Sequence, residues 1–152
     1  MNQLDLPILT LLTFLPAVGA LFIMLSNKEG VAQIRWTALV ISMANLICSL
    51  PLFFCFKADY TGMQFVEKVP WIKEYGMTYF LGIDGISLLL ILLTTFFTPI
   101  CVIACWKDVT KKVKEFMMCL LLLETGMIGV FVSLDLFLFY VFWEVMLIPM
   151  YL

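Results

Sequence analysis

The sequence contains no histidine, and its five cysteines all lie within apolar runs: Cys48, Cys55, Cys101, Cys105 and Cys119. None of them forms a Cys-x-x-Cys motif, and two thiols four residues apart, as at 101 and 105, make a poor metal site. Without histidine or a four-cysteine set, the chain holds neither a histidine-ligated haem nor an iron–sulfur cluster in the usual way. A glycine-rich nucleotide loop is also missing. We therefore expect no metal or cofactor in this chain, and electron transfer would take place elsewhere.

Charged residues are scarce as well. They make up 13% of the chain, and nine basic and eleven acidic side chains give a net charge of −2. This balance indicates neither nucleic-acid binding nor a basic patch for a membrane surface. In contrast, 64% of the residues are hydrophobic and the mean hydropathy is +1.09. Because soluble domains are about 45–50% apolar, the composition predicts an integral membrane protein embedded in the lipid bilayer.

Five apolar spans approach the ~20 residues that a helix needs to cross the hydrocarbon core. They are Leu6–Leu25, Trp36–Phe56, Ile83–Trp106, Phe116–Val132 and Leu136–Leu152. The first is preceded by Met-Asn-Gln-Leu-Asp, which lacks the basic segment of a signal peptide, so we expect it to be retained. The last ends without a flanking charge. We predict an all-α polytopic membrane protein, with residues 1–152 forming the N-terminal membrane part of a longer helical bundle.

The loop between the second and third spans is the only sizeable one outside the membrane. Its segments Gln64–Trp71 and Gly76–Gly82 are rich in valine and aromatic residues and flank a Lys-Glu-Tyr-Gly turn. This pattern predicts a short β-hairpin. Asp84, at the start of the third span, is expected to cap that helix by accepting hydrogen bonds from its free N–H groups.

Lysine and arginine are distributed unequally between the two ends of the spans. The first and third loops carry six of them: Lys28, Arg35, Lys107, Lys111, Lys112 and Lys114. The opposite end carries Lys57, Lys68 and Lys73. Because basic residues are enriched in cytoplasmic loops, the bias predicts that the N-terminus lies outside.

Glu144 lies in the middle of the fifth span, where a carboxylate is costly. Insertion scales put the cost at about 2.5–3.5 kcal/mol, and such residues usually serve a transport path. Pro149 lacks an N–H group, which leaves the Val145 carbonyl without its helical donor and bends the helix. At 100° per residue, Ser133, Tyr140 and Tyr151 fall within about 40° of Glu144. The pattern predicts a proton relay at Glu144, supported by Tyr140, Tyr151 and Pro149.

Glu124 is a second intramembrane carboxylate, on the fourth span. Counted from Leu134 in the short turn, Glu124 and Glu144 are both roughly 15 Å away, so we expect them at one depth. Gly126 and Gly129, with Ser133, form a small-residue face opposite Glu124 that is suited to close helix contact. Glu124 is therefore a second candidate for the relay. The alternative for either glutamate is a hydrogen bond to a polar residue of a neighbouring helix.

Two motifs carry a family resemblance. The tract from Gly126 to Tyr151 includes Trp-Glu-Val-Met-Leu-Ile-Pro-Met-Tyr, and the third span begins with Gly82-Ile-Asp-Gly-Ile-Ser. Together they resemble subunit M of the proton-pumping NADH–quinone oxidoreductases, the bacterial counterpart of mitochondrial subunit four of respiratory complex I. The likeness extends over essentially the whole chain, and the position of Glu124 is less specific for the family.

The resemblance implies an antiporter-like subunit of the membrane arm, in the inner membrane of a bacterium. Glu144 would pair with a lysine on a later helix, beyond this chain, and the pair would move protons. Other subunits would bind NAD, FMN, iron–sulfur clusters and quinone, and would oxidise NADH and reduce quinone. The expected partners are the other membrane-arm subunits, including neighbouring antiporter-like ones.

Two alternatives are also compatible with the sequence. Subunits of multi-subunit Na⁺/H⁺ antiporters and of membrane-bound hydrogenases share the helix plan and the glutamate of the fifth helix. A non-catalytic membrane scaffold or assembly factor is a different class, and it requires that Glu144 be dispensable.

Overall fold

The computed structural model of the chain describes residues 7–27 and 29–151. Five α-helices and one two-stranded sheet follow each other along this part of the chain: α1 (Ile8–Leu25), α2 (Val31–Cys55), β1 (Gln64–Ile72), β2 (Met77–Ile83), α3 (Gly85–Asp108), α4 (Val113–Val132) and α5 (Leu136–Tyr151). A short 3₁₀-helix, Lys73–Tyr75, connects the two strands. Within the described residues, α1 to α4 are long and apolar enough to cross a membrane, and α5 is a shorter apolar helix. The predicted helical membrane fold with a hairpin after the second helix is confirmed. Leu6, Lys28 and Leu152, which entered the predictions, lie outside the described residues.

Two helices begin earlier than hydropathy predicts. The second helix begins at Val31, not Trp36, and the fourth begins at Val113, not Phe116. Both added segments contain a long basic side chain, which can lie along a membrane helix while its charged end reaches a polar partner. Arg35 Nη2 donates to the Val109 carbonyl at 2.9 Å, and Lys114 Nζ donates to carbonyls at the end of α1 at 2.7 Å.

The fourth helix packs against all four of the other helices. The buried apolar residues form two clusters, one at each end of the helices. The cluster at the hairpin end includes Leu9, Leu52, Phe65, Ile91 and Ile128. The cluster at the opposite end includes Ile23, Ile34, Val102, Met117 and Leu121. On each of α1 to α4, the residues between the two clusters are therefore at the middle of the bundle.

The predicted hairpin is confirmed, with β1 and β2 antiparallel and Glu67 opposite Leu81. The hairpin is joined to α1 through the Glu67 carboxylate, which accepts from Leu9 N at 2.8 Å and Thr10 N at 3.2 Å. These N–H groups have no partner within a helix, and the N-cap residue Pro7 supplies no side-chain hydrogen bond. The hairpin thus caps the first helix with a residue that is far away in sequence.

The hairpin also contacts the connection between α4 and α5. Leu134 N donates to Phe80 O at 2.8 Å, and Asp135 accepts from Thr78 N at 3.3 Å and Phe137 N at 2.9 Å. Partial desolvation opposes ionisation of Asp135, but the hydrogen bonds that its carboxylate accepts from Leu138 N, Thr78 N and Phe137 N together outweigh it and lower its pKa.

The predicted cap at the third helix is confirmed. Ser87 N donates to Asp84 Oδ1 at 2.7 Å, and this backbone hydrogen bond lowers the pKa of the Asp84 carboxyl.

Candidate functional site

A layer of buried polar side chains lies between the two apolar clusters, at the middle of the bundle. These residues are contributed by α1, α2, α3 and α4, and we call them the polar layer: Thr13, Ser42, Asn45, Ser49, Thr94, Thr95, Thr98, Glu124 and Thr125. On α2 the three members are spaced i, i+3 and i+7, which places them on one helix face. The interior of this membrane-embedded bundle is therefore polar at its centre and apolar at both ends.

Glu124 is the acidic member of the polar layer, and its side chain is fully buried. Asn45 Nδ2 on α2 donates to Glu124 Oε1 at 2.9 Å, so the contact joins two helices. The Thr98 hydroxyl is close to the carboxyl, but it donates to Thr94 O at 3.0 Å. Within the described chain, Glu124 Oε2 and Asn45 Oδ1 are both buried without a hydrogen-bond partner.

The hydroxyl groups of the layer are satisfied mostly by their own helices. Thr13 and Thr125 donate to the carbonyl four residues earlier, at 2.8 and 3.2 Å. Ser49 and Thr95 also lie 3.0 Å apart and connect α2 to α3. The hydroxyls of the layer therefore have partners within the bundle, and Glu124 is the member that carries a carboxyl group.

The small-residue face predicted on α4 packs closely against α5. A Cβ atom added at Gly126 would lie 3.0 Å from Met146 Cα, and one at Gly129 would lie 2.3 Å from Phe142 Cγ. Any larger residue would therefore push the helices apart. As predicted, this face is turned away from Glu124, which points to α2.

The same contacts correct the predicted depth of the two glutamates. Because Gly126 faces Met146 and Gly129 faces Phe142, Glu144 lies at the level of Met127 and Ile128 along α4. Measured along α4, Glu124 is then about 5 Å farther from the α4–α5 connection than Glu144, which is roughly one helical turn. The prediction of equal depth was wrong because the connection is not a symmetric turn about Leu134. Residues of this connection pair with strand β2 instead, and Ser133 forms a β-bridge with Leu81.

Glu144 lies on the outer face of α5 and is exposed. The buried residues of this helix are Leu138 and Phe142. Tyr140 is also exposed, and its hydroxyl lies close to the Glu144 carboxylate. The structure therefore gives the two glutamates different surroundings: Glu124 faces the interior, and Glu144 faces away from the described helices.

The supporting residues of the fifth helix have different positions. Tyr151 is 93% exposed, and Pro149 is half-buried within α5. Ser133 was expected in the polar stripe of the fifth helix, but it is the C-cap residue of α4, and its hydroxyl donates to Gly129 O at 2.6 Å.

Asn45, the partner of Glu124, is not among the residues that the sequence predicted for the site. A signal was present, since Asn45 is the one amide within the apolar second span and lies in register with two serines. Among residues 7–27 and 29–151, no three His, Cys, Asp or Glu side chains lie close enough together to bind a metal ion.

Comparison with known proteins identifies relatives along nearly the whole chain. NADH-quinone oxidoreductase subunit M of Rhodobacter capsulatus is 46% identical over 95% of the chain. The protein of the same name from Rickettsia conorii is 36% identical over 99% of the chain. NADH-ubiquinone oxidoreductase chain 4 of Mycosarcoma maydis is 42% identical over 95% of the chain. The chain spans 31%, 28% and 30% of the Rickettsia, Rhodobacter and Mycosarcoma proteins, about a third of each.

The fold has a counterpart among solved structures. A chain of the membrane-bound sulfane sulfur reductase, an archaeal respiratory membrane complex, superposes with a TM-score of 0.77. The match covers 93% of this chain and 22% of the other, at 18% sequence identity. No protein-family model matches the sequence. The resemblance stated from the motifs is nevertheless confirmed by the relatives, and the chain is a multi-pass membrane protein.

Proposed function

We propose that this chain, a homologue of NADH-quinone oxidoreductase subunit M over nearly its whole length, is part of a proton-translocating subunit in the membrane arm of that enzyme. Other subunits bind NAD, FMN, iron–sulfur clusters and quinone, and they oxidise NADH and reduce quinone. This chain takes no part in the electron transfer. Its partners are the remaining membrane-arm subunits, including neighbouring antiporter-like ones.

The observation that carries the proposal is the exposure of Glu144 on α5. The residue lies within an apolar helix, and its side chain points away from α4 and the polar layer. A carboxylate that faced lipid tails here would cost at least about 2.5–3.5 kcal/mol. We infer that another protein segment or a water-filled cavity covers this face. The chain spans about a third of its relatives, which leaves ample sequence for such a segment.

Glu144 performs the proton transfer in this proposal, and its neighbours position it. The carboxylate accepts a proton from one side, and a lysine on a later helix stabilises its charged form. Tyr140 lies one helical turn before Glu144, and its hydroxyl can hold the carboxylate in place. Pro149 cannot donate to the Val145 carbonyl, so this carbonyl is free to bind water or a further donor.

The orientation of the protein is part of the proposal. The connections α1–α2 and α3–α4 lie at one end of the bundle, joined by the Arg35–Val109 and Lys114–Ser26 hydrogen bonds. The hairpin lies at the other end, against the start of α1. The end with more basic residues faces the cytoplasm, so the N-terminus lies outside the inner membrane of a bacterium.

The relatives favour this function over the alternatives. Those compared above are named as subunits of NADH-quinone or NADH-ubiquinone oxidoreductase, whereas an Na⁺/H⁺ antiporter would pump without NADH. A scaffold or assembly factor would need no ionisable group at position 144.

Purification of the full-length protein from native membranes through an affinity tag tests the assignment. We expect an enzymatic activity that oxidises NADH with an artificial electron acceptor to co-purify with the protein. Vesicles with the complex should form a NADH-dependent pH gradient in sodium-free buffer. Co-purification of small membrane subunits without NADH oxidation would contradict the assignment, as would a gradient that requires sodium.

A further inference from the structure

The proposed relay leaves the Asn45–Glu124 contact without a role. Glu124 points to α2, on the opposite side of α4 from α5, and lies about one turn from the level of Glu144. Two buried oxygens remain without partners in this contact, Glu124 Oε2 and Asn45 Oδ1. Buried polar atoms are rarely left in this state, so the pair needs a physical explanation.

The surroundings of Glu124 do not support a charge. Its side chain is fully buried, and its interacting neighbours are the Asn45 amide and the Thr98 hydroxyl, neither of which is charged. An ionised carboxylate without a cationic partner is so costly in an apolar interior that the group takes up a proton instead. The apolar clusters on both sides of the polar layer add to this cost.

Counting donors and acceptors leads to the same result. An ionised Glu124 has acceptors only, and Asn45 has one acceptor in addition to its NH₂ group. The ionised pair therefore leaves two buried acceptors and no donor for either. A proton on Oε2 supplies the missing donor, and Asn45 Oδ1 is an acceptor that lacks one.

We propose that Glu124 is a neutral carboxylic acid that forms two hydrogen bonds with the Asn45 side chain and keeps its proton during turnover. Asn45 Nδ2 donates to Oε1, and the acid group at Oε2 donates to Asn45 Oδ1. The pair is a clamp between α2 and α4, and not a station of the relay that the sequence suggested for Glu124. The inference does not depend on the function of Glu144.

A clamp of this kind has a clear purpose inside a membrane. Lipid tails are as apolar as the helix surfaces, so the hydrophobic effect does not drive helices together there. Interhelical hydrogen bonds then help to select one packing arrangement. Because most hydroxyls of the layer donate within their own helix, the Asn45–Glu124 pair fixes α2 against α4 at the middle of the bundle.

Four variants of the full-length protein in its native complex test the clamp: Glu124→Gln, Asn45→Leu, Glu124→Leu and the double variant with both leucines. Glutamine can form the same two hydrogen bonds but cannot release a proton. We expect Glu124→Gln to retain assembly and pumping within about twofold. Each single leucine variant should reduce the assembled complex at least fivefold, because it leaves a buried polar group alone. The double variant should recover most of this loss, since both partners are then apolar.

Two results would overturn the proposal. One is normal assembly of Glu124→Gln with pumping reduced tenfold or more, which would mean that Glu124 transfers its proton. The other is a double variant at least as impaired as the two single variants combined, which would mean that there is no pair. If the leucine variants fail to accumulate, infrared spectra of the complex decide. The wild type should contain a protonated-carboxyl band that Glu124→Gln lacks and that persists at alkaline pH, and its absence would also contradict the clamp.

Discussion

The close packing of α4 and α5 can be tested by adding a single methyl group. In Gly129→Ala, the new Cβ would lie 2.2 Å from Phe142 Cδ1 and 2.3 Å from Cγ. Carbon atoms in contact lie about 3.5–4.0 Å apart, so helix or ring must move by more than about 1 Å. Rotation of the ring about the Cβ–Cγ bond cannot relieve the overlap, because Cγ lies on the axis of this rotation and does not move.

The expected magnitude follows from two opposing effects. Overpacking costs typically 1–3 kcal/mol, and the severity of this overlap puts Gly129→Ala near the upper end. Replacing glycine by alanine within a helix gains about 0.8–1.0 kcal/mol. We therefore expect the α4–α5 packing to lose roughly 1–2 kcal/mol of stability. The readout is a lower midpoint temperature for dissociation of the full-length protein from its complex. Gly85→Ala is the control, since its nearest neighbour is the Phe56 ring at 3.9 Å and no overlap arises.

A second substitution shows whether Phe142 is the cause. Phe142→Ala removes Cγ and the whole ring, which are the atoms that overlap the new Cβ, so the double variant should be more stable than the sum of the single effects predicts. Contacting residues typically show coupling of about 0.5–3 kcal/mol. Additive effects, or a Gly129→Ala protein as stable as Gly85→Ala, would refute the packing described for α4 and α5.

The remaining predictions concern the hairpin and the orientation. Glu67→Ala removes the acceptor for Leu9 N and Thr10 N, so α1 should lose about 1–2 kcal/mol of stability and its first turn should exchange amide hydrogens faster. Glu74→Ala, in the exposed turn of the same hairpin, should leave that exchange unchanged, and equal exchange in both variants would contradict the cap. A single cysteine at Lys111 should react with an impermeant maleimide only after the cytoplasmic side is opened, and labelling of intact cells would reverse the proposed orientation.

The sequence predicts the membrane helices well because hydropathy and length dominate their formation. The hairpin and the Asp84 cap are also predictable, since each depends on residues that are close in sequence. The starts of α2 and α4 are not predictable, because Arg35 and Lys114 donate to carbonyls at the C-terminal ends of other helices. Hydropathy contains no information about such distant partners.

The two intramembrane glutamates can be identified from the sequence, but their surroundings cannot. The helical positions of Gly126 and Gly129 correctly predict that these glycines lie on the side of α4 that faces away from Glu124. Helical positions cannot identify Asn45 as the partner, because that contact joins residues 79 positions apart. The relative depth of the two glutamates depends on how the connection between α4 and α5 meets β2, which the spacing of residues along two helices does not determine.

Proton pumping by the Glu144→Gln variant, in the full-length protein within its complex, tests the central claim most directly. Glutamine keeps the shape of the side chain but cannot titrate. The control is Ile148→Gln, which places the same amide one turn along, at another exposed position of α5. The measurement is the NADH-driven pH gradient in membrane vesicles, divided by the amount of assembled complex. We expect severe loss for Glu144→Gln, substantial activity for Glu144→Asp, and unchanged NADH oxidation by an artificial acceptor in both. Wild-type pumping by an assembled Glu144→Gln complex would contradict the account and make Glu144 a structural residue.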